Sequence, residues 1–230
     1  VQRINLTTAL GTSLVNTLFV LYEPSIGLHP RDMGRVIGVM RRLRDAGNSL
    51  VVVEHDPQIM HEADLLLDMG PGPGERGGEV VFFGAPREMR EAGTLTAEYL
   101  SGRRRADGVT PFAKGGGAQA PGDFAAAEIP PGPPFAKGGD GPRLEILGAQ
   151  EHNLKNLDVA LPLNRLVCVT GVSGSGKSTL VQDVLYRNLL REKSLATDET
   201  PGACGKITGA KKIDHVVMVD QSPLARTPRS

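Results

Sequence analysis

Cysteine is scarce: the chain has two, Cys168 inside an apolar run and Cys204 in a polar stretch, with no Cys-x-x-Cys pair. This argues against a disulfide-stapled scaffold and leaves no cysteine zinc site in the segment, as expected of a reduced, cytoplasmic protein. An excess of either charge is also missing, with Lys plus Arg and Asp plus Glu at 26 each. Composition therefore argues neither for nor against a polyanionic partner. No run of about 18 apolar residues occurs, so no membrane span is expected. No charged-then-apolar signal opens the chain either. It starts at Val1 without methionine and stops at Ser230 in mid-motif, as expected of a segment of something longer.

What is present is enough apolar material for a buried core, 40% of 230 residues, in one or two domains. The most informative stretch is Gly171-Val-Ser-Gly-Ser-Gly-Lys-Ser-Thr179. It fits the phosphate-loop spacing of Gly, four residues, then Gly-Lys-Ser/Thr, with Gly171, Gly176, Lys177 and Ser178 in the fixed places. Leu166 to Thr170 before it reads as a buried parallel strand, and Leu180 to Leu190 after it has helical spacing. In that context Ser173, Gly174, Ser175 and the glycines curl the backbone so that N–H groups face a phosphate. The helix starting near Lys177 and Thr179 adds its positive end. Lys177 is then placed to reach the β and γ phosphates of ATP and the Ser178 hydroxyl to ligate magnesium. A glycine-rich turn that binds nothing is the plainer alternative.

In the first half, Val1 to Leu10 reads as the start of a helix and Leu18 to Leu21 as a buried strand delivering Tyr22 and Glu23 at its carboxyl end. An apolar strand closing in two acidic residues is the second half of a phosphate-loop site: one carboxylate serves magnesium and the next polarises the attacking water. Tyr22 occupies the first position and Glu23 the second. Alone, Glu23 reads equally as a solvated strand end. Met33, Val36, Ile37, Met40 and Leu43 follow helical spacing, and Gly47-Asn48 ends that helix. Ser49 to Val53 is a second strand, closing in Glu54-His55-Asp56; His55 reads either as a sensor of the γ phosphate or as the cap of a helix from Pro57. Leu65 to Met69 is a third strand. Gly70 to Gly78 is a turn-rich loop, Glu79 to Phe83 an antiparallel edge strand, and Pro86 to Ala92 and Leu95 to Leu100 are short helices.

Residues 102–142 change texture: Arg103, Arg104 and Arg105 lead into a Gly/Pro/Ala-rich stretch holding Pro-Phe-Ala-Lys-Gly-Gly twice. Such a segment cannot bury enough apolar surface to offset chain entropy and reads as a disordered linker. Beyond it, Leu144 to Leu147 and Leu154 to Leu163 read as strands of a small antiparallel layer. Asp198 to Lys212 reads as loop, and His215 to Val219 as a strand followed by Asp220-Gln221-Ser-Pro.

Taken together, these strings resemble the ABC-type ATPases and, more narrowly, the UvrA family of damage-recognition ATPases of bacterial nucleotide excision repair. The resemblance rests on Val20-Leu-Tyr-Glu-Pro-Ser-Ile-Gly-Leu-His-Pro-Arg-Asp32, Val53-Glu-His-Asp56, Asp68 to Gly78, Glu151-His-Asn-Leu-Lys-Asn156, the phosphate loop, Asp220-Gln-Ser-Pro and Arg226-Thr-Pro-Arg-Ser230. It implies an α/β phosphate-loop fold of ABC type, with a mostly parallel sheet flanked by helices and an antiparallel edge layer. It also implies roles: Glu23 as catalytic glutamate, His55 as switch histidine, and Ser25, Gly27 and His29 in the loop that contacts the opposite ATP site. Gln221 becomes the Q-loop glutamine, which with Ser178 serves magnesium.

The implied cofactors are ATP and Mg2+, and the implied partners damaged double-stranded DNA, UvrB and a second copy in a homodimer. The family's zinc cysteines, UvrB-binding region and second signature fall outside this segment. Val1-Gln-Arg resembles the residues just after the Leu-Ser-Gly-Gly-Glu signature, which is itself absent. Tyr22 stands where the family usually has Asp, and the motif order is reversed, Walker B before Walker A. The expected organisation is the end of a first ATPase module (1–101), a linker (102–142) and the start of a second (143–230), each site lacking its partner motif. The alternatives are an ABC ATPase driving a transporter or other machine, a catalytically incompetent truncated remnant, and a permuted single module in which Glu23 and Lys177 meet.

Overall fold

A computed structural model describes residues 14–103, 141–195 and 199–219. The expectations for Val1 to Leu10, for most of the linker and for Asp220 to Ser230, Gln221 included, lie outside the described residues.

The first segment carries β1 (Thr17–Tyr22), α1 (Pro30–Asp45), β2 (Ser49–Val53), α2 (Pro57–Glu62), β3 (Leu65–Gly70), β4 (Glu79–Gly84), α3 (Pro86–Met89) and α4 (Leu95–Leu100). The second carries β5 (Arg143–Ala149), β6 (Leu157–Pro162), β7 (Leu166–Gly171), a π-helical stretch Thr179–Tyr186 continuing into α5 (Arg187–Glu192), β8 (Lys206–Thr208) and β9 (His215–Val219). The helix expected after the phosphate loop is thus present, wound wider than an α-helix over its first two turns.

Six strands form one sheet in the order β4-β3-β7-β2-β1-β9. All its pairings are parallel except β3 with β4, the antiparallel edge expected from sequence. Its central strands are apolar on both faces, as a parallel sheet covered on both sides requires. The period of two sends Val51, Val53, Val167 and Val169 to one face and Leu50, Val52, Leu166 and Cys168 to the other. The first face packs under the helix of residues 179–192 and the antiparallel layer. The second packs under α1 and α2, with Met33, Met40, Leu43, Ile59 and Met60 buried. Each such large side chain contributes about 1.5–3 kcal/mol.

β7 of the second segment lies between β2 and β3 of the first, so the halves expected to belong to separate modules share one sheet here. Beyond the ladder, the Leu50 N–H donates to the Arg165 carbonyl (2.9 Å), the Asn164 N–H to Ser49 Oγ (2.8 Å) and the Leu166 N–H to Asp64 Oδ2 (2.8 Å).

The antiparallel layer has order β6-β5-β8. The expected strands there are found as Arg143–Ala149 and Leu157–Pro162. The loop expected over Asp198 to Lys212 is corrected in part: Lys206-Ile-Thr208 pairs with Glu145 to Leu147 as β8. Three residues are too few to show an alternating pattern, so this strand is set by its neighbour.

Candidate nucleotide site

At the carboxyl ends of β1, β2 and β7 the backbone is stitched in series. The Glu23 N–H donates to the Val53 carbonyl (2.8 Å) and the Glu54 N–H to the Val169 carbonyl (3.1 Å). This is where ligands sit in open parallel sheets, and the chain delivers Glu23, His55 and the phosphate loop to it side by side.

The loop is built from contacts that only glycine admits at its first position. Gly171 has φ of +129°, and a Cβ there would lie 2.0 Å from the Met69 carbonyl oxygen of β3. Its outer side is braced by the first half of the chain: the Gly74 N–H donates to the Gly174 carbonyl (3.0 Å) and the Gly78 N–H to the Ser175 carbonyl (2.9 Å). Asn153 Nδ2 donates to the carbonyls of Gly74 (3.0 Å) and Gly174 (3.1 Å). The turn-rich loop Gly70 to Gly78 is therefore a buttress for the phosphate loop. Sequence reasoning read it as a turn only, because a backbone brace leaves no side-chain signature.

Lys177 is 6% exposed, and its ammonium donates to the carbonyls of Gly171 (2.9 Å) and Val172 (2.8 Å). Burial lowers its pKa, and the charges of Glu23 and Asp68 oppose that shift. The Glu23 carboxylate thus lies close enough to Lys177 for its charge to act on the ammonium. Ser175 is fully buried, and its hydroxyl has no hydrogen-bond partner among the described residues. A buried orphan donor beside a glycine cradle, with a helix beginning at Lys177, fits a phosphate. Ser173, Gly174 and Ser178 are exposed at the loop surface, Gly176 is buried and Thr179 half-buried.

The donor set for magnesium is mixed. Ser178 Oγ is in place but is hydrogen bonded to the Tyr22 hydroxyl, so a phenol faces the position where a carboxylate would serve the ion. Glu23, held at φ of +45°, is the adjacent carboxylate. Among the described residues no three His, Cys, Asp or Glu side chains gather as a metal cluster.

His55 does not cap α2. Asp56 does, its Oδ1 accepting from the Gln58 N–H at 2.8 Å, so the structural alternative for His55 is removed. The imidazole pKa is lowered, first by desolvation and then by the Lys177 charge, against the pull of Glu23 and Glu54. At neutral pH His55 is therefore a neutral ring beside the lysine, able to donate or accept. His29 caps α1, with Nδ1 accepting from the Arg31 N–H at 3.2 Å, while Ser25 and Gly27 sit in the turn before it.

Two carboxylates escaped the sequence reading. Asp68 is 1% exposed in β3 and accepts from Thr96 Oγ1 of α4 at 2.8 Å. Desolvation, only partly offset by the Thr96 and Thr94 hydroxyls and Lys177, pushes its pKa up to about 6. Glu54 is 2% exposed and accepts three backbone N–H groups. A carboxylate inside an apolar strand (Asp68) or directly after one (Glu54) was the available signal.

A phosphate loop after the central strand, with Glu23 two strands away and His55 just beyond the strand between, defines the class: an α/β phosphate-loop nucleotide-binding fold of ABC type. No family model matches the chain. Over all 230 residues it is 46% identical to the UvrABC system protein A of Lactiplantibacillus plantarum, 45% to that of Deinococcus radiodurans and 44% to that of Aquifex aeolicus. The chain belongs to the UvrA family, as a segment: it spans 22%, 20% and 22% of those relatives respectively. A solved structure titled as UvrA2 from Deinococcus radiodurans is 36% identical, with 98% of this chain and 24% of that one covered at a TM-score of 0.41.

Proposed function

We propose that this segment binds ATP with Mg2+ at Gly171 to Thr179 and belongs to a damage-recognition ATPase of nucleotide excision repair. In that reading, ATP binding and hydrolysis gate engagement of damaged double-stranded DNA. The observation that supports it best is the insertion of β7 between β2 and β3, which sets Lys177, Glu23 and His55 around one sheet end. The loop N–H groups and Lys177 hold the phosphates, Glu23 orients and deprotonates the attacking water, and neutral His55 hydrogen bonds the terminal phosphate. Ser178, with Gln221 as the expected second ligand, would hold magnesium, which would supply neutralisation of the phosphate charge. Ser25, Gly27 and His29 serve as the loop toward an opposite ATP site in a homodimer, UvrB is the protein partner, and the setting is cytoplasmic.

We place residues 1–101 at the end of a first ATPase module and 143–230 at the start of a second, with 102–142 between them. In the longer protein each half has a complement elsewhere. A second reading, favoured by the shared sheet, is that the two halves complete one another as a permuted module.

Steady-state hydrolysis and ATP binding of this chain, beside Lys177→Ala and Glu23→Gln, test both. Lys177→Ala is expected to weaken ATP binding by about tenfold or more and Glu23→Gln to cost about a hundredfold in turnover with binding kept. Turnover per mole that holds on dilution supports one intramolecular site. Binding through Lys177 without turnover supports the tandem reading, and no binding at all defeats the proposal.

A further inference from the structure

We propose that Glu54 is a positioning residue that fixes the loop carrying Ser25, Gly27 and His29 against His55. The proposal rests on the functional reading above only for its effect on hydrolysis. Glu54 closes β2, is 2% exposed, and has no lysine or arginine hydrogen bonded to its carboxylate among the described residues. What its two oxygens hold instead is backbone. Oε1 accepts the Ser25 N–H at 2.8 Å, and Oε2 accepts the N–H groups of His55 at 2.7 Å and Asp56 at 3.0 Å.

Those amides belong to two loops leaving adjacent parallel strands, β1 and β2. The first loop turns sharply after Glu23: the Ile26 N–H returns to the Glu23 carbonyl at 3.1 Å and the Leu28 N–H to the Ser25 carbonyl at 3.0 Å. Taking Ser25 by its amide therefore fixes the turn that sets Glu23, and taking His55 by its amide fixes the direction in which the imidazole leaves the strand. One side chain does both, so any displacement of the first loop is transmitted to His55 through two bonds.

A buried anion is stable only when its lone pairs are filled, and three N–H groups on one carboxylate do this strongly. The isosteric amide cannot: Glu54→Gln replaces one acceptor by an NH2 group, which must face a backbone N–H, donor against donor. The clamp then opens on one side or the other with little change in packing volume.

The experiment is amide hydrogen exchange read residue by residue on the whole chain, with and without Glu54→Gln, beside ATP turnover. Glu54→Gln is expected to speed exchange at Ser25 by about tenfold or more, although Ser25 is 29 residues distant, while the amides of Leu50 to Val53 stay protected. In turnover, kcat falls by about tenfold or more, with KM for ATP within about threefold, because phosphate contacts are untouched and only geometry around the attacked phosphate is lost. Unchanged protection at Ser25 overturns the clamp, and changed protection with unchanged kcat overturns its part in hydrolysis. A wild-type chain that binds ATP without hydrolysing it supports the tandem reading, and one that does not bind ATP defeats the functional reading; in both cases the exchange result alone decides the clamp. Should the variant not fold, the wild type suffices: Ser25, His55 and Asp56 must exchange through one opening, with a common free energy and denaturant dependence. Separate openings overturn the proposal.

Discussion

The hydroxyl of Tyr22 is hydrogen bonded to the hydroxyl of Ser178, joining the end of β1 to the helix start after the phosphate loop across 156 positions. Ser178 is the residue proposed to ligate magnesium, so in this chain a bound ion would compete with a phenol for one oxygen. Tyr22→Asp removes the competitor and adds a carboxylate where the ion is served. Magnesium-dependent ATP affinity is expected to rise about three- to tenfold, and Tyr22→Phe to raise it by less. Calorimetric titration at several magnesium concentrations reads both; an unaltered magnesium dependence in Tyr22→Asp would mean that Tyr22 does not face the metal.

Asp68 makes stability depend on pH. Its folded pKa, about 6, lies above the ordinary value of 3.8, so the folded chain holds this proton more tightly than the unfolded one. The contribution is fully present below about pH 4 and is lost as pH rises through about 6, where ionised Asp68 costs about 2–3 kcal/mol. Asp68→Asn is expected to remove that slope and to be the more stable form above pH 6. Denaturant unfolding at pH 5 and pH 7.5 compares the two.

The buttress predicts a backbone-limited position outside the phosphate-loop motif. Gly78 has φ of +80°, and a Cβ there would lie 1.7 Å from the Asn153 carbonyl oxygen. Gly78→Ala is expected to cost about 3 kcal/mol or more, through strain and loss of the bonds to Ser175 and Lys155. Gly47→Ala, with φ of +87° but open space around the new methyl, is expected to cost about 1 kcal/mol. Thermal melts of both variants check the difference, and equal losses would refute the buttress.

Asn48 ties the strand start to a helix end. Fully buried, it accepts the Thr17 N–H at 3.0 Å and donates to the carbonyls of Leu14 (3.0 Å) and Leu43 (2.9 Å). Asn48→Ala strands the Thr17 N–H and the Leu14 carbonyl, while the Leu43 carbonyl keeps the backbone N–H of residue 48 (3.3 Å), and a loss of about 2–4 kcal/mol is expected in urea unfolding.

Much of this was legible in the chain. The runs Leu18 to Leu21, Ser49 to Val53 and Leu166 to Thr170 declared buried strands, because only a sheet covered on both faces wants every position apolar. Gly171 to Thr179 declared its loop, because backbone N–H groups can converge only where Cβ atoms are missing. The spacing from Met33 to Leu43 declared α1, since burial along one stripe repeats with the helical turn. Local periodicity and turn chemistry determine such features within a dozen residues.

What the tertiary structure alone decided is adjacency. That β7 enters between β2 and β3, so that Lys177 and Glu23 come to the same end of one sheet, depends on which ladder leaves fewest edges and buries both faces, a comparison no single segment contains. The same holds for Tyr22 on Ser178, for the three amides on Glu54 and for the rise in the Asp68 pKa. Each arises where groups far apart in sequence exclude water from one another, and desolvation is a property of the assembled surroundings.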